Sequence, residues 1–153
     1  MATIMDLLEA VERFDPMSEV LDSFAISSDR AVVMNIEQLL RGKTSEGADV
    51  APEYSMFEYS FFKQKLNNSP NFGTPDLRLT GDFHKGFNVR QDQLENGIFE
   101  IDSSDYKTSA LTDKYGESIF GLNTENTNSF LDVVIDKFAQ KVLDQMGLIM
   151  ENV

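Results

Sequence analysis

The residues of this chain that could carry acid–base or metal chemistry are few and scattered. The single histidine, His84, follows Asp82 by two positions and precedes Lys85, an arrangement that could tune a general base. Asp132 and Asp136 are four residues apart and would share one face of a helix. Charged residues with this spacing are typical of a solvated helix face. Neither pattern is specific enough to predict a catalytic or metal-binding residue.

Two further patterns resemble chemical motifs, and both lack an essential residue. Asp102 and Asp105 flank two serines, but this cluster lacks the ligand count and the glycine of a calcium loop, which favours a simple turn. Gly42-Lys43-Thr44 ends like a phosphate-binding loop, yet Glu37 occupies the position of that motif's first glycine. The chain contains no cysteine, which excludes thiol nucleophiles, disulfides and zinc ribbons. We therefore predict no catalytic residue, no cofactor and no metal, and expect that the protein is not an enzyme.

Length and composition predict one ordinary domain. The 153 residues are 41% hydrophobic and 25% charged, which is sufficient for a single α+β domain over residues 1–153. The net charge of -13 argues against specific nucleic-acid binding. No apolar run approaches the roughly 18 residues of a membrane span. The acidic first twenty residues also predict no secretory signal.

The N-terminal third predicts two helices and a strand. Thr3 and Asp6 match a capping box, and an amphipathic helix follows and ends before Pro16. Its apolar stripe is Ile4, Leu7, Leu8 and Val11. Ser18 is positioned to cap a second short helix over residues 19–24. The β-branched run Ala31–Ile36 favours a buried strand.

The C-terminal half predicts a small antiparallel sheet followed by helices. Residues 87–90 and 97–102 are typical of two paired strands, with Phe99 and Ile101 on the core face. Residues 108–115 favour a helical segment that Gly116 ends. A long C-terminal helix follows, packed on the sheet. Its apolar stripe runs to Gly147 and consists of Phe130, Leu131, Val134, Ile135, Phe138, Val142 and Met146.

Two long irregular loops, at about 41–53 and 67–76, flank a segment rich in aromatic residues. Residues 54–62 contain five aromatics, more than one face of a short helix can bury, so some fill the core and others are expected at an interface. The subunit-interface candidates are Tyr54, Phe57, Phe61, Phe62, Phe72, Arg41 and Lys43.

The order of the central motifs resembles a known group of proteins over about residues 31–150. Asn35 and Gln38-Leu39 precede a glycine-containing loop, a short helix predicted in the aromatic-rich segment, and the stretch Leu77–Phe87, which contains Thr-Gly-Asp-Phe. This order is similar to that of small virion proteins from tailed phages of Bacteroides-type hosts, including crAss-like phages. The later segments, including Ile119–Leu122, resemble the Mu-type virion morphogenesis (tail-completion) family.

This resemblance implies a tail-completion-like fold and a structural role in the virion. The expected protein forms a homo-oligomeric ring at the head–tail junction, as a neck, connector or tail-completion component. Its implied partners are the portal and other neck or tail proteins, after assembly in the host cytoplasm. The alternative is a small acidic DNA mimic that inhibits a nucleic-acid-binding protein, because the net charge fits that role as well.

Overall fold

The fold is mixed α/β and mostly helical, with a small two-stranded antiparallel sheet and a long C-terminal helix. A computed structural model describes residues 3–68 and 72–150. Their elements, in order, are α1 (Ile4–Arg13), α2 (Pro16–Ile26), α3 (Ser28–Leu40), α4 (Phe57–Asn67), α5 (Asp82–Lys85), β1 (Phe87–Val89), α6 (Gln91–Leu94), β2 (Ile101–Ser103), α7 (Thr108–Tyr115), a 3-10 turn (Glu117–Ile119) and α8 (Thr124–Met150). These elements form two compact units.

Unit 1 combines the chain up to Ser27, which holds α1 and α2, with the part of α8 from Leu131 onward. The rings of Phe14 and Phe138 lie 6.3 Å apart. The Lys141 ammonium lies 3.4 Å from the Glu19 carboxylate and also contacts Asp22. An aromatic pair and a charge cluster therefore join the N-terminal helices to the C-terminal helix.

Local signals set the ends of the first two helices. The capping box at α1 is confirmed, since Thr3 Oγ1 accepts from the Asp6 N–H at 3.2 Å and the Thr3 N–H donates to the Asp6 carboxylate at 2.6 Å. The bond from the Thr3 N–H, together with one that the Thr3 hydroxyl donates to the same carboxylate at 2.8 Å, favours the charged form and lowers the pKa of Asp6. The cap predicted at Ser18 is wrong. Asp15 caps α2 instead, because Pro16 takes the first helical position and the Asp15 carboxylate accepts from the next two N–H groups.

Unit 2 spans Ser28 to Phe130 and contains the sheet. The two antiparallel strands are confirmed in a shorter form, β1 and β2, with Phe87 opposite Ser103. Ile101 is buried, as predicted for the core face, and Phe99 is half-buried with its ring 5.0 Å from that of Phe130 on α8. The predicted turn between the strands contains the short helix α6 and ends at Gly97, whose φ of 77° suits glycine.

The strand predicted at Ala31–Ile36 is wrong, because these residues belong to helix α3. Its buried positions lie on one face of the helix and are Ser28, Ala31, Met34, Asn35, Gln38 and Leu39. Three of them are polar, so the buried face did not stand out as an apolar stripe. The β-branched Val33 instead lies on the outer side of α3 and is 41% exposed.

Asn35 and Gln38 are buried because they bind backbone groups of a distant segment. The Asn35 side chain donates to the Ile119 carbonyl at 3.2 Å and accepts from the Gly121 N–H at 3.0 Å. Gln38 donates to the Gly121 carbonyl at 3.1 Å and accepts from the Asn123 N–H at 2.9 Å. These four hydrogen bonds satisfy backbone groups that have no partner within a helix or the sheet. They also hold the start of α8 against α3.

The structure agrees with the sequence for α7 and describes part of the two loops and of α8. Helix α7 and its end at Gly116 are confirmed. The loop over residues 41–53 carries a bridge between Lys43 and Asp49. In the second loop, positions 69–71 lie outside the described residues, as do the side chains of Leu7 on α1 and of Met146 on α8. The packing of the whole of α8 on the sheet, and the single-domain organisation, stay predictions.

Candidate interaction surface

Helix α4 buries a polar face. Ser60 and Lys63 are 2% and 3% exposed, and Asn67 on the same face is half-buried. These positions are three and four residues apart, so they line one side of the helix. Lysine is almost never fully buried in proteins unless it is paired. A partner for Lys63 is therefore required inside unit 2.

That partner is Asp76, which follows Pro75 in the loop after α4. The Lys63 ammonium lies 2.8 Å from the Asp76 carboxylate, and both side chains are below 5% exposed. The same carboxylate accepts from the Asn67 side chain at 2.7 Å and from the Arg78 N–H at 3.0 Å. Lys63 also donates to the Arg78 carbonyl. Asp76 thus accepts several charge-assisted hydrogen bonds and holds the second loop against α4.

The residues around Asp76 are adapted to this pairing. Leu77 has a φ of 54°, which is uncommon for a residue with a branched side chain, and it follows an aspartate whose side chain binds the Arg78 N–H two positions on. The Tyr54 hydroxyl lies 3.5 Å from the Asp76 carboxylate. Burial, together with the Asp76 charge, raises the pKa of Tyr54 well above its usual value. Tyr54 is therefore half-buried and belongs to this network.

The opposite face of α4 is aromatic and exposed. Phe57, Phe61 and Phe62 are 72%, 48% and 51% exposed. Leu66 at the end of the helix and Phe72 in the following loop are also about half exposed, and the Phe72 ring lies 5.2 Å from that of Phe57. We call these five side chains the aromatic surface. Helix α4 is thus inverted relative to an ordinary surface helix, with polar residues inside and apolar residues outside.

Two of the sequence-predicted interface candidates lie away from the aromatic surface. Lys43 pairs with Asp49 at 2.7 Å across the first loop. Arg41 lines a cleft of about 340 Å³ together with Asn67 and Arg78, so it lies towards the C-terminal end of α4. Phe57, Phe61 and Phe62 are exposed on α4, and Phe57 contacts Phe72. The structure places Tyr54 in the buried network, with Arg41 and Lys43 outside the aromatic surface.

The histidine considered as a general base lies in the core. His84 is 6% exposed on α5, beside Phe83 and Phe87, whose rings meet edge to face at 5.0 Å. Burial lowers the pKa of His84 to about 4, which keeps the ring neutral near pH 7. Phe120 completes this cluster with its ring 5.3 Å from that of Phe87. The Thr-Gly-Asp-Phe stretch therefore contributes one ring, that of Phe83, to an aromatic cluster in the core.

A second exposed apolar face lies on α1 in unit 1. Ile4, Leu8 and Val11 are 78%, 50% and 62% exposed. The same helix carries acidic residues at Asp6, Glu9 and Glu12 and a single basic residue at its end. The periodicity of the sequence predicted an apolar stripe here, but it gave no sign that Ile4, Leu8 and Val11 are exposed. An apolar helix face of this kind is typical of a binding surface.

Sequence reasoning missed the polar network beneath the aromatic surface. Ser60, Lys63 and Asn67 form a polar stripe along the helix, a pattern that usually predicts a solvent-exposed face. The available signal was the conflict between this stripe and the apolar residues opposite it, because no single face of α4 could bury all the aromatics. Asp76 gave no local signal, since it pairs with a residue 13 positions earlier.

None of the helices in the described residues is long and apolar enough to cross a membrane. Within residues 3–68 and 72–150, no group of three or more histidine or acidic side chains is arranged to hold a metal ion. Comparisons of the chain with family models, with curated proteins and with solved structures find no match.

Proposed function

We propose that this protein is a structural subunit of a tailed-phage virion that forms a homo-oligomeric ring at the head–tail junction. The observation that carries the proposal is the inverted helix α4. Its buried Lys63–Asp76 pair fixes the orientation of the helix, and this orientation exposes Phe57, Phe61 and Phe62. Aromatic side chains are enriched at the centres of protein interfaces. The similarity of the motif order to small phage virion proteins supplies the biological setting.

The size of the aromatic surface supports an interaction role. Its four phenylalanines are 46% to 72% exposed, which corresponds to roughly 400 Å² at about 200 Å² per aromatic side chain. A standard interface buries about 800 Å² on each partner. The phenylalanines alone would therefore supply about half of one side of such an interface, and rim residues would supply the rest.

The net charge fits a ring that surrounds a DNA channel. The chain carries 26 acidic residues against 13 basic ones. Repeated around a ring, this charge would repel the phosphate backbone, so that the genome passes without binding. A portal-proximal ring needs no catalytic group, and we propose a purely geometric role in stabilising the attachment of portal to tail.

The test is the presence of the protein in purified virions and its oligomeric state. The expected result is a stoichiometric virion component that appears as a ring at the neck in electron micrographs. In the purified protein, Phe61→Ser with Phe62→Ser should abolish self-association measured by light scattering. Tyr106→Ser is the matched control, because Tyr106 is 87% exposed and lies outside the aromatic surface.

Two results would contradict the proposal. One is absence of the protein from intact particles, and the other is self-association of the Phe61→Ser/Phe62→Ser double variant equal to that of the unchanged chain. A strictly monomeric protein that captures a basic DNA-binding protein would support the acidic-inhibitor alternative instead.

A further inference from the structure

Three groups that can react with one another meet on the buried side of α4. Lys63 carries an amine, Asn67 a carboxamide and Asp76 a carboxyl group. Lys63 and Asn67 are four positions apart on the helix, so their side chains are neighbours on one face. A nucleophilic amine, a carboxamide and a group that moves protons are what an amide bond between two side chains requires. We propose that Lys63 Nζ displaces the side-chain nitrogen of Asn67 and forms a covalent Lys63–Asn67 cross-link within α4.

The two side chains bind the same acceptors. The Lys63 ammonium lies 2.8 Å from one oxygen of the Asp76 carboxylate, and Asn67 Nδ2 donates to the other oxygen at 2.7 Å. Both nitrogens also donate to the Arg78 carbonyl, Asn67 Nδ2 at 2.5 Å. Donors that share a carboxylate and a carbonyl lie beside each other, and Asn67 Cγ is one bond from Nδ2. The nucleophile is thus held next to the carbon that it attacks, which removes much of the entropic cost of the reaction.

Burial favours the protonation state that reacts. The side chains of Lys63 and Asp76 are both below 5% exposed. An ammonium group is not a nucleophile, but transfer of one proton to Asp76 converts the ion pair into a neutral amine and a neutral acid. The interior lowers the cost of this transfer, because burial penalises both charges. The ion pair described above is therefore the state of the chain before the reaction.

The three groups account for every atom and proton of the reaction. The Nζ lone pair attacks Asn67 Cγ, and the bond between Cγ and Nδ2 breaks. Asp76 donates its proton to the departing Nδ2 and accepts one from Nζ, so ammonia leaves and Asp76 ends as a neutral acid. Asn67 and Asp76 both line the cleft of about 340 Å³ described above, which gives ammonia a route to solvent. The reaction consumes no oxidant or cofactor.

The cross-link would close the last turn of α4 on its buried side, since the helix ends at Asn67. A covalent bond there keeps this turn wound and holds the polar face inward, so the aromatic surface stays on the outer side. The inference does not depend on the proposed virion role, because every group that takes part belongs to one copy of the chain.

Digestion with trypsin tests the cross-link directly. Trypsin cuts after Lys65, between the two bonded residues, so fragments 44–65 and 66–78 stay joined only through a side-chain bond. The folded full-length protein is incubated at neutral pH, digested and analysed by mass spectrometry. The expected product is the joined pair of fragments, uncut after Lys63 and lighter by one ammonia than the two separate fragments. Its amount should rise with incubation time, and protein kept in guanidinium chloride should not form it.

Substitutions identify the reacting groups. Lys63→Arg keeps a cation for Asp76 but removes the amine, and Asn67→Ala removes the carbon that is attacked, so neither chain should give joined fragments. Asn68→Gly is the matched control, because it removes the neighbouring carboxamide at a φ of 48° that glycine adopts readily; it should react like the unchanged chain. Asp76→Asn cannot carry the proton and should react at least about 100-fold more slowly. Circular dichroism shows which variants keep their helices.

Several outcomes would overturn the inference. Absence of joined fragments after prolonged incubation of the folded chain would refute it, as would joined fragments from Asn67→Ala. Joined fragments lighter by one water would place the bond between Lys63 and Asp76 instead. Loss of ammonia without joined fragments would indicate ring closure of an asparagine onto its own backbone. An Asp76→Asn chain that keeps its helices and reacts at the unchanged rate would refute the proton transfer.

Discussion

Replacement of Lys63 by methionine should destabilise unit 2 far more than any surface substitution on α4. Methionine keeps most of the volume and the helix propensity of lysine, but it leaves the Asp76 carboxylate buried without a cation. At 2.8 Å and an effective dielectric of about 20, the attraction between two unit charges is roughly 6 kcal/mol. Desolvation of the pair offsets part of this, and loss of one member of a buried pair costs about 3–5 kcal/mol.

The assay is urea unfolding followed by tyrosine fluorescence. The four tyrosines lie at positions 54, 59, 106 and 115, all within unit 2, so the signal reports on the unit that contains the pair. Lys65→Met is the matched control, because Lys65 is exposed on the outer face of the same helix. It should change the free energy of unfolding by less than about 0.5 kcal/mol.

A double variant separates the charge from the packing. Lys63→Met together with Asp76→Asn removes both charges and keeps an amide oxygen as acceptor for the Arg78 N–H. This chain should be more stable than Lys63→Met alone, by about 1–3 kcal/mol. The reasoning would be refuted if Lys63→Met unfolded at the same urea concentration as Lys65→Met. It would also be refuted if the second substitution lowered the stability further.

Three other perturbations test different parts of the structure. The folded-state pKa of His84, lowered by burial to about 4, lies below its ordinary value of 6.5. The free energy of unfolding is therefore highest above pH 6.5 and falls as the pH drops towards 4, by up to about 1.4 kcal/mol per pH unit. The urea midpoint should fall over the same pH range, and His84→Gln should make it less dependent on pH. Gly86→Ala should cost about 1–3 kcal/mol in the same assay, since an added Cβ would lie 2.6 Å from the Ser103 hydroxyl; an unchanged midpoint would contradict the close packing. Thr3→Ala should remove the cap that binds the Asp6 N–H and lower the stability of α1 by about 1 kcal/mol, seen as faster hydrogen exchange in α1 and unchanged exchange in unit 2.

The elements that the sequence predicted well are those defined by nearby residues. The capping box at Thr3 and Asp6, the helix end at Gly116 and the positive φ at Gly97 each depend on a few neighbouring positions. The apolar stripe of α8 continues for several turns, so its periodicity alone identified a long helix. The assignment of some phenylalanines to an interface came from a count, since five aromatics in nine positions exceed the capacity of one helix face, and it stays a prediction.

Contacts between residues far apart in the sequence decided the features that local patterns did not predict. Asn35 is buried in α3 because its side chain binds the carbonyl of Ile119, a residue 84 positions away. Lys63 is buried because Asp76 supplies its counter-charge from the following loop. In both cases a polar residue enters the interior only when a distant partner satisfies it, and this partner leaves no trace in the local pattern. The sequence by itself determined where local capping residues begin or end a helix and where a long apolar stripe forms one. Only the folded chain decided which face of α4 turns inward, because Asp76, the partner that makes burial of Lys63 possible, lies in another segment.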